Sequence, residues 1–386
     1  MNFRPLDNYL DTFYKEKNIP GVGISVYQHG KHLHTYCAGF ANVEEQKPFA
    51  DDTMINLYSA TKVSTCTAGL RLVERGLLGL DDPVEKYLPE MADVTVMQEN
   101  GEAAPAKNKM LVKHLFSMSA GFSYDRDESV ITKLMEETDG KPTTRQVVRA
   151  FAKTPLLFEP GTHFKYSFCH DVLGAVLEVV CGDTLGNILK KELFEPIGMT
   201  STAFRLNEEM RARLAPEYHN FCGKSDSAEQ VIYKEGVDMG MGAAYESGGG
   251  GLMSCVKDYA LLAAVLANGG VAPNGNRILK PETIALMQTN QLTEEGLQDF
   301  DAFGGWSKAG YGYGLGVRTL MDRERNNSLS ENGEFGWDGA LGCYIVADPK
   351  SGVSIFYAQQ EGGSKWYTWH GMVRNYAYAC IMGWEE

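Results

Sequence analysis

The chain has 386 residues, 44% of them hydrophobic and 22% charged, which is ordinary globular composition and enough to build a large core. Its formal net charge is −14 with no Lys/Arg cluster, which argues against a nucleic-acid partner because a polyanion needs a basic footprint. No run approaches the ~18 apolar residues that a membrane span requires. The first residues lack the charged-then-apolar profile of a secretory leader. The eight cysteines lie far apart without a C-x-x-C pair, so they read as reduced thiols of a cytoplasmic protein.

In chain order, residues 4–17 read as an amphipathic helix ended by Asn18-Ile19-Pro20-Gly21. Val22–Tyr27 and Leu33–Phe40 alternate around a Gln28-His29-Gly30-Lys31 turn, the signal of a hairpin. From Ser59, apolar residues recur at Val63, Cys66, Leu70, Val73 and Leu77, which is the stripe of a buried helix. The middle of the chain is helical and loop-rich, with helices expected over Leu111–Met118, Thr144–Ala152, Asp171–Cys181 and Thr184–Phe194. A glycine run, Gly248–Gly251, precedes a helix from Ser254 to about Asn268. Strands are expected over Gly312–Thr319, Gly342–Asp348 and Val353–Gln359. The last two flank the turn Asp348-Pro349-Lys350-Ser351-Gly352. Trp366–Met382 reads as a closing helix. Strands at both ends around a helical middle predict an α/β fold of the α+β type. Its antiparallel sheet comes from residues 1–85 and 241–386, and a mainly helical subdomain covers 86–240.

The chain has no G-x-S-x-G elbow, H-E-x-x-H or P-loop, and the glycine run lacks the Lys-Ser/Thr of a phosphate cradle. His32 and His34 share a strand face, but without a carboxylate or thiol pattern they do not predict a metal site, and no cofactor is expected. What remains is S-x-x-K, which occurs at Ser59–Lys62 and at Ser254–Lys257. A chain of this length holds about one such match by chance, so context must separate them. Ser254 stands where a serine caps a helix. Ser59 also opens a helix, but there an i, i+3 lysine shares its face and can exchange a proton with the hydroxyl. The helix N-terminus favours the developing alkoxide. A lysine serves as that base only where its surroundings make the ammonium form costly.

At this point the chain resembles the serine β-lactamase and penicillin-binding-protein superfamily, in particular class C β-lactamases and family VIII carboxylesterases. The resemblance runs through SATKVSTCTAGLRLVERGLLGLDDPVEKYLPE from Ser59, LVKHLFSMSAGF at 111–122, and FEPGTHFKYSFCHDVLGAVLEVVCG at 158–182. It continues in FEPIGMTSTAF at 194–204 and GGGGLMSCVKDYALLAAVLANGG at 248–270. It implies an acylated nucleophile, Ser59, with Lys62 beside it and Tyr166 reaching in from the helical subdomain. Lys62 and Tyr166 would take the Ser59 proton, and Tyr166 would pass it to the leaving group.

Two positions depart from the lactamase pattern. The second motif, usually Tyr-x-Asn, reads Tyr166-Ser167-Phe168, so the amide that would clamp an acyl-amide is replaced by Phe168 in the substrate wall. The third motif, usually Lys-Thr-Gly, has its counterpart in Trp337-Asp338-Gly339, where family VIII esterases similarly place tryptophan. Gly339 would keep that strand open to substrate. The backbone N–H groups of Ser59 and Ala340 would form an oxyanion hole. Trp337 supplies an aromatic wall, and Asp338 would repel an anion or, facing the pocket, pair with a substrate amine. These features favour an esterase of small neutral esters. A β-lactamase or D-amino-peptide hydrolase, and a non-catalytic sensor on the same scaffold, are the alternatives. Tyr311-Gly312-Tyr313 and Trp366-Tyr367-Thr368-Trp369 are candidates for an apolar pocket lining. The oligomeric state is not legible.

Overall fold

The structure is a computed structural model, and it describes residues 1–125, 127–220, 230–237, 239–363 and 365–383. Helix α1 (Arg4–Glu16) buries Leu6, Leu10 and Phe13 along one stripe. It is followed by β1 (Gly21–Gln28) and β2 (Lys31–Asn42), then the short β3 (Lys47–Pro48). His29 (φ 49°) and Gly30 (φ 73°) supply the two left-handed residues that a tight hairpin turn needs. Helices α2 (Thr61–Glu74), α3 (Cys169–Cys181) and α4 (Val256–Ala267) follow. The chain returns to strand as β4 (Tyr311–Tyr313), β5 (Arg318–Leu320), β6 (Phe335–Asp338), β7 (Tyr344–Asp348) and β8 (Val353–Gln359), and closes with α5 (His370–Ile381).

One eight-stranded antiparallel sheet runs β4-β5-β6-β7-β8-β1-β2-β3. The two chain ends meet at its centre, where Ile24 of β1 faces Tyr357 of β8. Strand alternation sorts the side chains between two cores. Ile24, Val346, Ile355 and Tyr357 point toward α1 and α5, where they join Leu10, Phe13 and Val373. Ile345, Ala347, Phe356 and Ala358 point the other way and pack with Tyr259 and Ala263 of α4. With both faces covered, β7 and β8 are buried along their whole length.

The expected α+β architecture is present, with local corrections. Gly312–Thr319 is not one strand but the paired β4 and β5, broken at Gly316 (φ 90°), where a Cβ would run into Cys66 Sγ. On α2, Val63, Cys66 and Leu70 are buried, but Leu77 lies past the helix end and is exposed. Thr184–Phe194 is α-helical only over Leu185–Leu189 and continues with π geometry to Phe194. Ser254 does not cap α4. It pairs in a two-residue strand with Ile55, and its hydroxyl bonds Thr202 Oγ1 at 2.7 Å. No single helix among the described residues is long and apolar enough to cross a membrane. The seven described cysteines carry free thiols, most of them buried, and Cys222 lies outside the described residues.

Candidate active site

The site begins with a strained turn. Ile55–Asn56 is pinned to Met253–Ser254 as a two-residue strand pair, and Tyr58 then adopts φ 46°, a costly backbone for a bulky residue. Side chains hold it there. The buried Glu217 accepts the Tyr58 hydroxyl (2.9 and 3.0 Å) and the Asn56 amide (2.7 Å). The turn delivers Ser59, half-buried, to the start of α2.

One helical turn later Lys62 is fully buried. Its Nζ reaches Ser59 Oγ (3.3 Å), Tyr124 OH (3.1 Å) and the Gly249 carbonyl (2.5 Å), and lies 4.6 Å from the Tyr166 ring centre. Nζ donates to all three oxygens, and to act as a base it would have to turn a lone pair toward Ser59 Oγ while two N–H groups stay on Gly249 and Tyr124. Tyr124 was not legible as a site residue. Burial pushes its phenol well above the ordinary range, so it stays a hydroxyl.

Tyr166 enters from the loop before α3. Its hydroxyl accepts the Trp337 indole N–H at 3.0 Å, and its ring stacks between Trp337 and Phe303. Among the described residues no hydrogen bond joins Tyr166 to Ser59 or Lys62, so the proton path expected from the sequence is not closed in this state. Phe168, expected in the substrate wall, is instead core. It stacks on Phe151, meets Tyr124 edge-on and lines neither the pocket at Ser59 nor the cavity beside Tyr124.

Behind Lys62 lies a carboxylate that sequence reading also passed over. Asp171 Oδ1 accepts from Tyr245 OH (2.5 Å), Ser247 Oγ (2.6 Å) and the Gly249 N–H (3.4 Å). Burial raises its pKa, and the Lys62 charge works against that rise. Its sequence signal was an acid in the first turn of a helix whose next six residues, Val172–Leu177, are all apolar or glycine.

The end of β6 closes over the Ser59 turn. A Cβ at Gly339 would lie inside the shell of the Leu57 carbonyl oxygen and 2.5 Å from Cys343 Sγ. Gly339 therefore lets strand and turn approach, rather than keeping the strand open. The backbone N–H groups of Ser59 and Ala340 have no intramolecular acceptor among the described residues. Asp338 is neither solvent-facing nor a free anion. It is buried, with Oδ2 2.8 Å from Lys308 Nζ and Oδ1 3.3 Å from Arg318 Nη1. Burial works to raise its pKa, but Lys308 and Arg318 outweigh it and hold the carboxyl below the usual range.

These groups share one pocket of about 280 Å³, where Ser59, Tyr166 and Phe303 face Lys308, Trp337 and Ala340. Of the suggested aromatic stretches, Tyr367 lines it, while Tyr313 packs behind Trp337 and Trp369 packs on Phe13. The rival pair Ser254–Lys257 is split, with the serine buried and the lysine on the surface.

An antiparallel sheet covered by helices, with a serine at a helix start and a buried lysine one turn on, defines the β-lactamase and transpeptidase-like class of fold. A family model described as Beta-lactamase matches residues 6–367, and the chain belongs to that family. It is 28% identical to Esterase EstB of Burkholderia gladioli over 91% of this chain and 88% of that protein. It is 30% identical to the lovastatin esterase of Penicillium rubens over 80% of each. Among solved structures, EstCE1, described as a hydrolase with promiscuous acyltransferase activity, aligns with TM-score 0.78 at 27% identity, covering 97% of this chain and 98% of that one. Simvastatin synthase LovD of Aspergillus terreus aligns with TM-score 0.81 at 21% identity, over 99% and 100%, and this likeness shows the fold. The family is one of serine hydrolases with esterase and acyltransferase members.

Proposed function

We propose that the protein is a carboxylesterase that forms an acyl-enzyme on Ser59. The observation that carries this reading is the 3.3 Å contact between the buried Lys62 amine and Oγ of Ser59, which lines a pocket together with Tyr166, Phe303, Trp337 and Tyr367. Ser59 Oγ attacks the ester carbonyl carbon as its proton passes to Lys62. The Ser59 and Ala340 N–H groups receive the oxyanion. When the intermediate collapses, the bond to the alcohol oxygen breaks. That oxygen takes the Tyr166 proton, and Tyr166 is reprotonated from Lys62, a relay that requires the Tyr166 hydroxyl to turn from Trp337 toward Lys62 during turnover. Water then attacks the acyl-serine, its proton passing by way of Tyr166 and Lys62 to Ser59 Oγ as the bond between that oxygen and the acyl carbon breaks, and the acid and free Ser59 are released.

The preference for esters over amides is supported by the second motif, where Phe168 is buried in the core and offers no side-chain amide. The test is labelling with an active-site phosphonate. Ser59 should be modified, with hydrolysis of p-nitrophenyl butyrate lost in proportion. Persistent esterase activity without modification of Ser59 would end the assignment. Faster turnover of a chromogenic cephalosporin than of the ester would move it to the amide hydrolases. A stable acyl adduct that never turns over would point to a sensor.

A further inference from the structure

One wall of the Ser59 pocket is built from charges that the proposed chemistry does not use. Lys308 follows the turn at Gly304–Gly305, and it is a lining residue although only 8% exposed. Its Nζ lies 2.8 Å from Asp338 Oδ2 and 5.4 Å from the Trp337 ring centre. Lys308 and Asp338 are the two charged residues among those that line the pocket.

The pair is the front of a larger set. Arg318 bridges Asp338 and Glu334, each at 3.3 Å, and Arg374 Nη1 lies 3.5 Å from Glu334. Tyr311 donates to Glu334 at 2.6 Å and accepts from Arg374 at 2.7 Å. Arg318, Arg374 and Glu334 are almost wholly buried. His370 adds no charge, because burial pushes its pKa down to about 3. Lys308, Arg318 and Arg374 thus stand against Asp338 and Glu334. The ion-paired set has one positive charge in excess, and Lys308 is its cation on the pocket wall.

Both Asp338 oxygens are already taken by cations, so the amine-binding role open to it from sequence is filled from within the protein. A cationic substrate would find no free carboxylate oxygen there. An anion would find an ammonium already held in place by Asp338, so little side-chain freedom is lost on binding.

We propose that the esters this site takes carry a carboxylate group, received by Lys308 at the wall of the Ser59 pocket. This rests on the esterase reading above and narrows its substrate class. The carboxylate can be borne on the acyl or the alcohol side, and two probe series separate these.

The acyl series is mono-p-nitrophenyl succinate, glutarate and adipate, each against the uncharged p-nitrophenyl ester of matching length. The alcohol series is the butyrate ester of 3-hydroxybenzoate against phenyl butyrate, with butyrylthiocholine as the cationic counterpart. In at least one series kcat/KM should favour the anion by about tenfold, and the advantage should shrink with added salt. Lys308→Met should bring the anion-to-neutral ratio to about one, and Lys308→Arg should restore most of it. Because Lys308→Met strips a partner from buried Asp338, Lys308→Met/Asp338→Asn serves as a second variant with the charge balance kept. It should show the same loss of preference.

A neutral or cationic ester preferred in both series, with Ser59 still labelled and turning over, overturns the carboxylate proposal and leaves the esterase reading standing. A preference that survives both Lys308 variants overturns it as well. No turnover of any ester and no labelling of Ser59 would instead remove the esterase reading, and this inference with it.

Discussion

Gly339→Ala is the sharpest test of how β6 positions the nucleophile. The backbone at Gly339 does not need the left-handed region, so the new methyl meets only a problem of space. It would sit inside the shell of the Leu57 oxygen and 2.5 Å from Cys343 Sγ, against about 3.5 Å for an ordinary contact. Something must therefore yield by about 1 Å. The Cys343 thiol has limited room, since it bonds the same Leu57 oxygen at 3.3 Å. That oxygen also accepts the Ala60 N–H at 3.2 Å, so displacing it disturbs the turn that holds Ser59. Overpacking of this kind costs about 1–3 kcal/mol, and a backbone obstacle places it at the upper end, near ~3 kcal/mol. A shift of about 1 Å at a nucleophile lowers rates by roughly a hundredfold. Thermal melting measures the first effect. The rate of phosphonate labelling, corrected for the folded fraction, measures the second. Adding Cys343→Ala should recover part of the melting temperature but little of the labelling rate, because the carbonyl remains. A Gly339→Ala protein that melts and labels like the parent would refute the close-approach argument.

Two further outcomes follow from the same geometry. Trp337→Phe keeps a ring against Tyr166 but removes the N–H at 3.0 Å, so kcat should fall by about fivefold, the worth of one hydrogen bond, and the lost ring volume at this buried position should lower the melting temperature as well. A loss carried entirely by KM would show that Trp337 acts as substrate wall alone. Glu178 has its pKa raised from the ordinary 4.5 to about 7, chiefly by burial. Its protonated form therefore contributes stability that is fully present below about pH 4.5 and is lost as pH rises through 7. Glu178→Gln keeps an acceptor for the Leu185 N–H, so it should be more stable than the parent by about 1–2 kcal/mol at pH 8, allowing for partial exposure, and no more stable at pH 4. Equal gains at both pH values in chemical denaturation would refute this assignment.

Much of the frame was legible because its signals are local. The stripe of α1, the His29-Gly30 turn and the hairpin around Pro349 each need only neighbouring residues, and β1, β2, β7 and β8 fall where alternation puts them. Ser59 and Lys62 were legible for the same reason, being one turn apart on one helix. What escaped depended on distant partners. Nothing beside Lys308 says that a carboxylate thirty residues further on will hold it, and nothing beside Asp338 says that two cations will cancel it. Phe168 occupied a motif position, but Phe151 and Tyr124 claimed it for the core. The helix Glu294–Gly304, which brings Phe303 to the pocket, did leave a local trace. Thr293 caps it and Glu294-Glu295 open it, yet three glycines in and just after it obscured the pattern.

The central pairing of β1 with β8 bears on how the molecule comes to exist. The nucleophile sits in the first sixth of the chain, while the strand that closes over it and the partner strand of β1 come from the last sixth. During synthesis the Ser59 turn must wait, with β1 unpaired on one edge, until residues near 359 have left the ribosome. Such long-range closure is slow and exposes sticky strand edges in the interval. Activity and aggregation resistance should therefore appear together and late, as the final hundred residues emerge.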